Sequence, residues 1–320
     1  MESNPRQIER DQAIDCIKVL AMVGVLALHV YYGVEYRPTW IEPYWMGLWG
    51  VAIPCFFAAS GYLQFGRETG WEYVRRKLVG ILRFMGAVML IYLVFQPGSW
   101  RNFYRFLAQS GDFWHFWYFA ALMMVYACTP ILKRVFAANR ENILLIALGL
   151  ACTATFLLNC TCDFEHRYAV QTLRIWNWLF YYCAGMYISK RRERILPRVR
   201  GWHAAVAMAV CVAFIAVWSP VHGSEYYFGS LPCMAYTLTL FCYVAGRNVK
   251  SRLVVELAPT FLICYTLHPF LLVLYRQYIH FEIPNPSLNM VVHFALMAAF
   301  ALGFCRLAMR VPFVRQLFKI

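Results

Sequence analysis

Residues 11–32, DQAIDCIKVLAMVGVLALHVYY, decide how the rest of the chain is read. They form an apolar run long enough to cross a bilayer, yet they hold Asp15, Lys18 and His29. Ionisable groups inside a span are costly and face a protein interior or a wet cavity, which makes these three the first functional candidates. Lys18 and His29 are eleven residues apart. At about 100° per residue that is three turns plus roughly 20°, so both lie on one helix face, about 16 Å apart along the axis. One helix therefore shows an ammonium near one membrane face and an imidazole near the other, and the two are expected to line one shared passage.

The surrounding composition fits such a span. The chain has 320 residues, 61% hydrophobic and 14% charged, which is more apolar surface than a soluble protein of this size can hide. The expected class is all-α: a polytopic transmembrane helical bundle forming a single domain over residues 1–320. A net charge of +14 raises the question of nucleic acid. However, the basic residues sit in short clusters between apolar runs, as loops at an anionic leaflet require, so nucleic acid is not an expected partner. The 12 cysteines lie mostly inside apolar runs, where cysteine behaves as a small hydrophobe. Cys160 and Cys162 are too close to bridge each other, and no metal-ligand spacing occurs, so no metal is expected. Residues 33–38 offer no small-residue cleavage site, so the first span is expected to stay in the mature protein.

Ten apolar segments follow, near 14–32, 47–65, 79–97, 114–132, 143–159, 172–188, 203–219, 227–246, 260–279 and 290–309. Connections on one side of this layout hold 23 basic residues against 6 on the other, with Lys18 inside the first span. The basic set includes Arg6, Arg10, Arg67, Arg83, Lys133, the cluster at 190–200 and Lys319; Arg37, Arg101, Arg105, Arg167, Arg174 and Arg276 oppose it. This bias predicts both termini in the cytoplasm, which an even span count also requires. Nine tryptophans fall on the outer side and only Trp71 and Trp202 on the inner. A belt alone would decorate both faces, so part of the outer set reads as packing and part as a flat platform for sugar rings.

Several residues invite chemistry, and each has a plainer reading beside it. His29, toward the outer face, suits a general base near neutral pH, or else packs against a neighbouring helix. Lys18 serves the far end of a long substrate or pairs with Asp15, or else snorkels to inner headgroups. His115 orients an acceptor, or is an interfacial histidine. His268 precedes Pro269, which removes the hydrogen bond to the Tyr265 carbonyl and bends the helix there. Arg75, Arg76 and Lys77 hold phosphates of a cytosolic donor, or merely enforce topology. His166, His203, His222, His280 and His293 lie in loops or near helix ends and receive no role.

Four stretches together resemble the membrane-bound acyltransferase 3 family. IDCIKVLAMVGVLALH is similar to the first-span signature, a basic residue and a histidine with ten residues between them, here Lys18 and His29. VAIPCFFAASGYLQFG resembles the motif ending S-G-Y-L, at Ser60, Gly61, Tyr62 and Leu63. FWHFWYFAALMMVYACTPIL resembles the motif with His115, Trp117, Tyr126 and Pro130. CYTLHPFLL resembles Y-x-x-H-P, at Tyr265, His268 and Pro269. The chain departs from the pattern at Gly80, where a second arginine is common, with Arg83 one turn on.

The resemblance implies a stand-alone, ten-span O-acetyltransferase of the bacterial inner membrane. Its donor would be acetyl-CoA, and its acceptor a hydroxyl of an envelope polysaccharide or lipid-linked sugar. On this reading His29, Lys18, Asp15 and His115 are catalytic, and Arg75, Arg76, Lys77 and Arg83 bind the donor. Trp114, Trp117, Tyr62, Ser60 and His268 meet the acceptor. Two other classes compete. One is a proton-coupled transporter using Asp15, Lys18, His29 and His268, although the expected paired broken helices are not evident. The other is a non-catalytic partner in a polysaccharide export complex.

Overall fold

The computed structural model describes residues 11–67, 70–95, 99–162, 164, 168–222 and 227–318; among these all regular structure is helical, with no strand. The main helices are α1 (Gln12–Gly33), α2 (Glu42–Trp49), α3 (Ala52–Phe65), α4 (Trp71–Phe95), α5 (Trp117–Ala137), α6 (Glu141–Cys162), α7 (Ile175–Lys190), α8 (Gly201–His222), α9 (Leu231–Ala245), α10 (Phe261–Tyr278) and α11 (Pro286–Ala308). All ten apolar segments read from the sequence lie on helices. Among the described residues, eight stretches are long and apolar enough to cross a membrane. The segments at 172–188 and 227–246 fall short of that length, as α7 of 16 residues and α9 of 15. Arg6, Arg10, Arg167, Lys319 and His166 lie outside the described residues.

α1 starts where Asp11 caps it: the carboxylate accepts from the backbone N–H of Ala13 at 3.0 Å and of Ile14 at 3.2 Å. With 22 residues it runs for about 33 Å, enough to cross hydrocarbon. It packs against α2, α3, α9, α10 and α11 and so forms the central pillar. Burial is highest in the stretch 39–65 that holds α2 and α3, at 78%, and in the α1 span, at 61%, against 17% for α6 and for α8. The peripheral helices are apolar all round because their outer faces meet lipid.

α3 and α7 are pressed together by two glycines. A Cβ on Gly61 would overlap the Tyr182 carbonyl oxygen, and one on Gly185 would overlap that of Ala58. Small residues at such a crossing let backbones approach and gain van der Waals contact where lipid supplies no hydrophobic drive. At one end of this pair, the buried Glu141 carboxylate accepts from Lys190 Nζ at 2.8 Å and Arg191 Nη2 at 3.3 Å, tying the start of α6 to the end of α7. Lys133 of α5 donates to the carbonyls of Phe65 and Arg67, neutralising the negative end of α3. These contacts fix α3 and α5 around α1, which positions the site.

Candidate active site

Three histidines from three chain segments converge at the C-terminal half of α1. The His29 ring stacks on His268 of α10 at 4.8 Å between centroids, with 30° between planes. Trp114 meets His29 edge-on at 4.9 Å, and His115 lies 5.8 Å from His268. His115 and His268 are each only 1% exposed.

The backbone sets the protonation of the two buried rings. Pro269 has no N–H, so the Tyr265 carbonyl four residues earlier lacks its helical donor. His268 Nδ1 occupies that place at 2.6 Å. His115 Nε2 likewise lies 3.0 Å from the Thr266 carbonyl. A carbonyl only accepts, so both nitrogens carry protons, and the lone pairs sit on His268 Nε2 and His115 Nδ1. Neither of those atoms has a hydrogen-bond partner among the described residues. The Tyr265 hydroxyl donates to the His115 carbonyl at 3.0 Å and locks the 114–116 turn onto α10.

His29 differs from the other two. It is only partly buried, and its ring meets the rings of Trp114 and His268. Its ring lines a cavity of about 120 Å³ that it shares with Tyr32, Gln109, Trp114, Trp117 and Gln171. This is an imidazole held by its neighbours' rings at the wall of a small chamber, a placement suited to proton transfer with a bound hydroxyl.

The other end of α1 faces a cavity of about 440 Å³. Asp15, Lys18, Ser60, Arg67, Lys77 and Arg315 all contribute to its wall. Lys18 Nζ lies 3.3 Å from Asp15 and 6.0 Å from the centroid of Phe261. Ser60 shares this wall with Tyr118 and Tyr126. Four cations around one carboxylate make this chamber electropositive and suited to phosphate groups.

The remaining sequence-predicted residues fall elsewhere. Arg75 and Arg76 gather around Glu72 at 2.9 and 4.0 Å, with side chains 69% and 70% exposed. Arg83 is also exposed, and none of the three lines the chamber. Tyr62 is buried against Phe241 at 5.7 Å. Trp117 borders the His29 cavity but is mostly packed on Trp178. Of the outer tryptophans, Trp45 and Trp49 pack on Phe294, and Trp178 is fully buried. Among the described residues, Trp114 and Trp117 are the outer tryptophans that border the chamber.

The shared passage expected between Lys18 and His29 is instead two chambers. Tyr118 lines the first and Tyr265 the second, and their rings meet at 5.1 Å. Phe56 packs against both, at 6.0 and 6.4 Å. Bulky rings from α3, α5 and α10 thus fill the space that the helical-wheel argument on α1 left open. Reading the sequence also missed Arg67, Arg315, Gln109 and Gln171. Arg67 and Arg315 registered only as topology-setting charges, and the glutamines carry no motif signal.

No curated protein and no solved structure matches this chain. A family model does: the acyltransferase domain of the acyltransferase 3 family matches residues 11–310, which include all three histidines and the walls of both chambers apart from Arg315 and Phe318. The chain therefore belongs to that family, and it is a membrane acyltransferase.

Proposed function

We propose that the protein moves an acetyl group from acetyl-CoA to a hydroxyl of an envelope or surface polysaccharide, or of its lipid-linked precursor. It works as one ten-span domain of the bacterial inner membrane, with both termini cytoplasmic. The observation that carries this reading is the half-buried His29 imidazole facing a small chamber while its two companions are pinned to carbonyls.

In this mechanism the acceptor hydroxyl enters the His29 chamber, walled by Trp114 and Trp117. His29 takes its proton as the oxygen attacks the thioester carbonyl. A C–O bond forms, the C–S bond breaks, and the thiolate recovers the proton from the imidazolium. His268 and His115 hold the ring in place. The donor's phosphates bind in the electropositive chamber at Lys18, Lys77, Arg67 and Arg315, with Asp15 orienting Lys18. Arg75, Arg76 and Arg83 form an outer ring of charge that steers the anionic donor inward. The pantetheine arm spans the distance of about 16 Å between Lys18 and His29. Its passage requires the Tyr118 and Tyr265 rings to part.

The test is radiolabelled acetyl transfer in membranes, with mass spectrometry of the envelope glycans. His29→Ala is expected to lower transfer by about 10²–10⁴-fold at unchanged protein level, the range general-base removal costs. Full transfer in that variant overturns the assignment.

A further inference from the structure

α1 carries a third chamber on another face. A groove of about 210 Å³ runs along Ile17, Ala21 and Gly24, with Trp49 and Ala52 on one wall and Leu240 of α9 on the other. No charged side chain lines it, and the Tyr236 hydroxyl there is spent on the Leu48 carbonyl at 3.3 Å. Leu20 at the rim is 42% exposed, so the groove opens sideways from the bundle at the middle of α1. In a spanning helix that depth is hydrocarbon, where the natural occupant is an alkyl or isoprenyl chain.

Two features tie this groove to His29. The first is an interleaved wall. Gly24 faces the groove while Val25, the next residue, faces the His29 chamber. Trp49, Val51 and Ala52 line the groove while Gly50 and Ile53 line the chamber. The second is direction. The groove residues 17–24 precede His29 by one to three turns, so the groove leads from the chamber toward the membrane centre. A molecule with its polar head at His29 and its tail in this groove lies as a membrane lipid lies.

We propose that the groove holds the hydrocarbon chain of the acceptor, so that the acceptor is a glycolipid whose sugar hydroxyl reaches His29, and not a free saccharide. This rests on the acyl-transfer reading above. The test uses the full chain in nanodiscs with two photoreactive probes: a dodecyl glycoside bearing a diazirine at mid-chain, and a phosphocholine lipid with the same chain. The glycoside is expected to label peptides covering 17–24 and 236–244 at roughly fivefold the level of the phosphocholine lipid, a preference set by head recognition at the chamber. Leu20→Trp, at the groove rim, is expected to abolish that excess. Equal labelling by both probes means ordinary surrounding lipid and overturns the proposal, as does glycoside labelling that Leu20→Trp leaves intact. Selective labelling without acetyl transfer to any acceptor overturns the catalytic reading and leaves the groove assignment standing. Transfer with an unlabelled groove does the reverse.

Discussion

At its Lys18 end α1 faces a chamber of about 440 Å³ with four cations and a carboxylate on its wall. At its His29 end it faces one of about 120 Å³, walled by tryptophan, tyrosine and amide side chains. The wide chamber has long, mobile cations that tolerate small displacements of a ligand. In the tight one, rings are fixed by backbone carbonyls, and a small shift would undo the geometry. On the mechanism proposed above, the difference lets one helix support two tasks: holding a large anion loosely and placing a proton acceptor closely. It also predicts different kinetic signatures, KM from one end and kcat from the other.

His29→Ala is the largest expected effect, the loss of about 10²–10⁴-fold in transfer given above, and it should appear in kcat. Next comes Pro269→Ala. It restores an N–H to compete for the Tyr265 carbonyl, so His268 loses its fixed tautomer. Steady-state kinetics should show kcat lower by about tenfold, or 1.4 kcal/mol, with the KM for acetyl-CoA unchanged. A KM change of equal size would mean the two ends of α1 are not separate in function. Lys18→Met should do the opposite, raising the KM for acetyl-CoA by about tenfold and sparing kcat, with partial recovery in Lys18→Arg. The smallest contrast lies within the basic cluster. Arg315→Ala, on the chamber wall, should raise that KM by about threefold. Arg76→Ala, exposed beside Glu72, should change it by less than about twofold, as screened surface charges do. Equal effects from the two arginines would remove the distinction between lining and surrounding charge.

Much of this was readable from residue order alone. The positions of the helices follow from hydropathy, and the shared face of Lys18 and His29 follows from helical geometry. Pro269 already announced an orphaned carbonyl at Tyr265. What periodicity on a single helix cannot supply is the azimuth of its neighbours. That His115 and His268 close on His29 depends on how α10 and the 114–116 turn rotate against α1. The Tyr118–Tyr265 contact is hidden for the same reason, because each tyrosine sits in an aromatic-rich stretch that reads equally as lipid-facing. Arg315 is further away still, on the short helix Pro312–Leu317, which packs on the bundle through Val314, Leu317 and the contact of Phe318 with Phe84.

The ring layer of Phe56, Tyr118 and Tyr265 has a bearing on energy conservation in the cell. A protein with polar hollows entering from both sides of a bilayer is a leak unless something insulating lies between them. Each elementary charge crossing a membrane held at 100 mV dissipates about 2.3 kcal/mol, so even a slow proton wire would drain the gradient. Rings of Phe56, Tyr118 and Tyr265 meet at the point between the two hollows. An insulating layer there would keep the resting protein electrically tight.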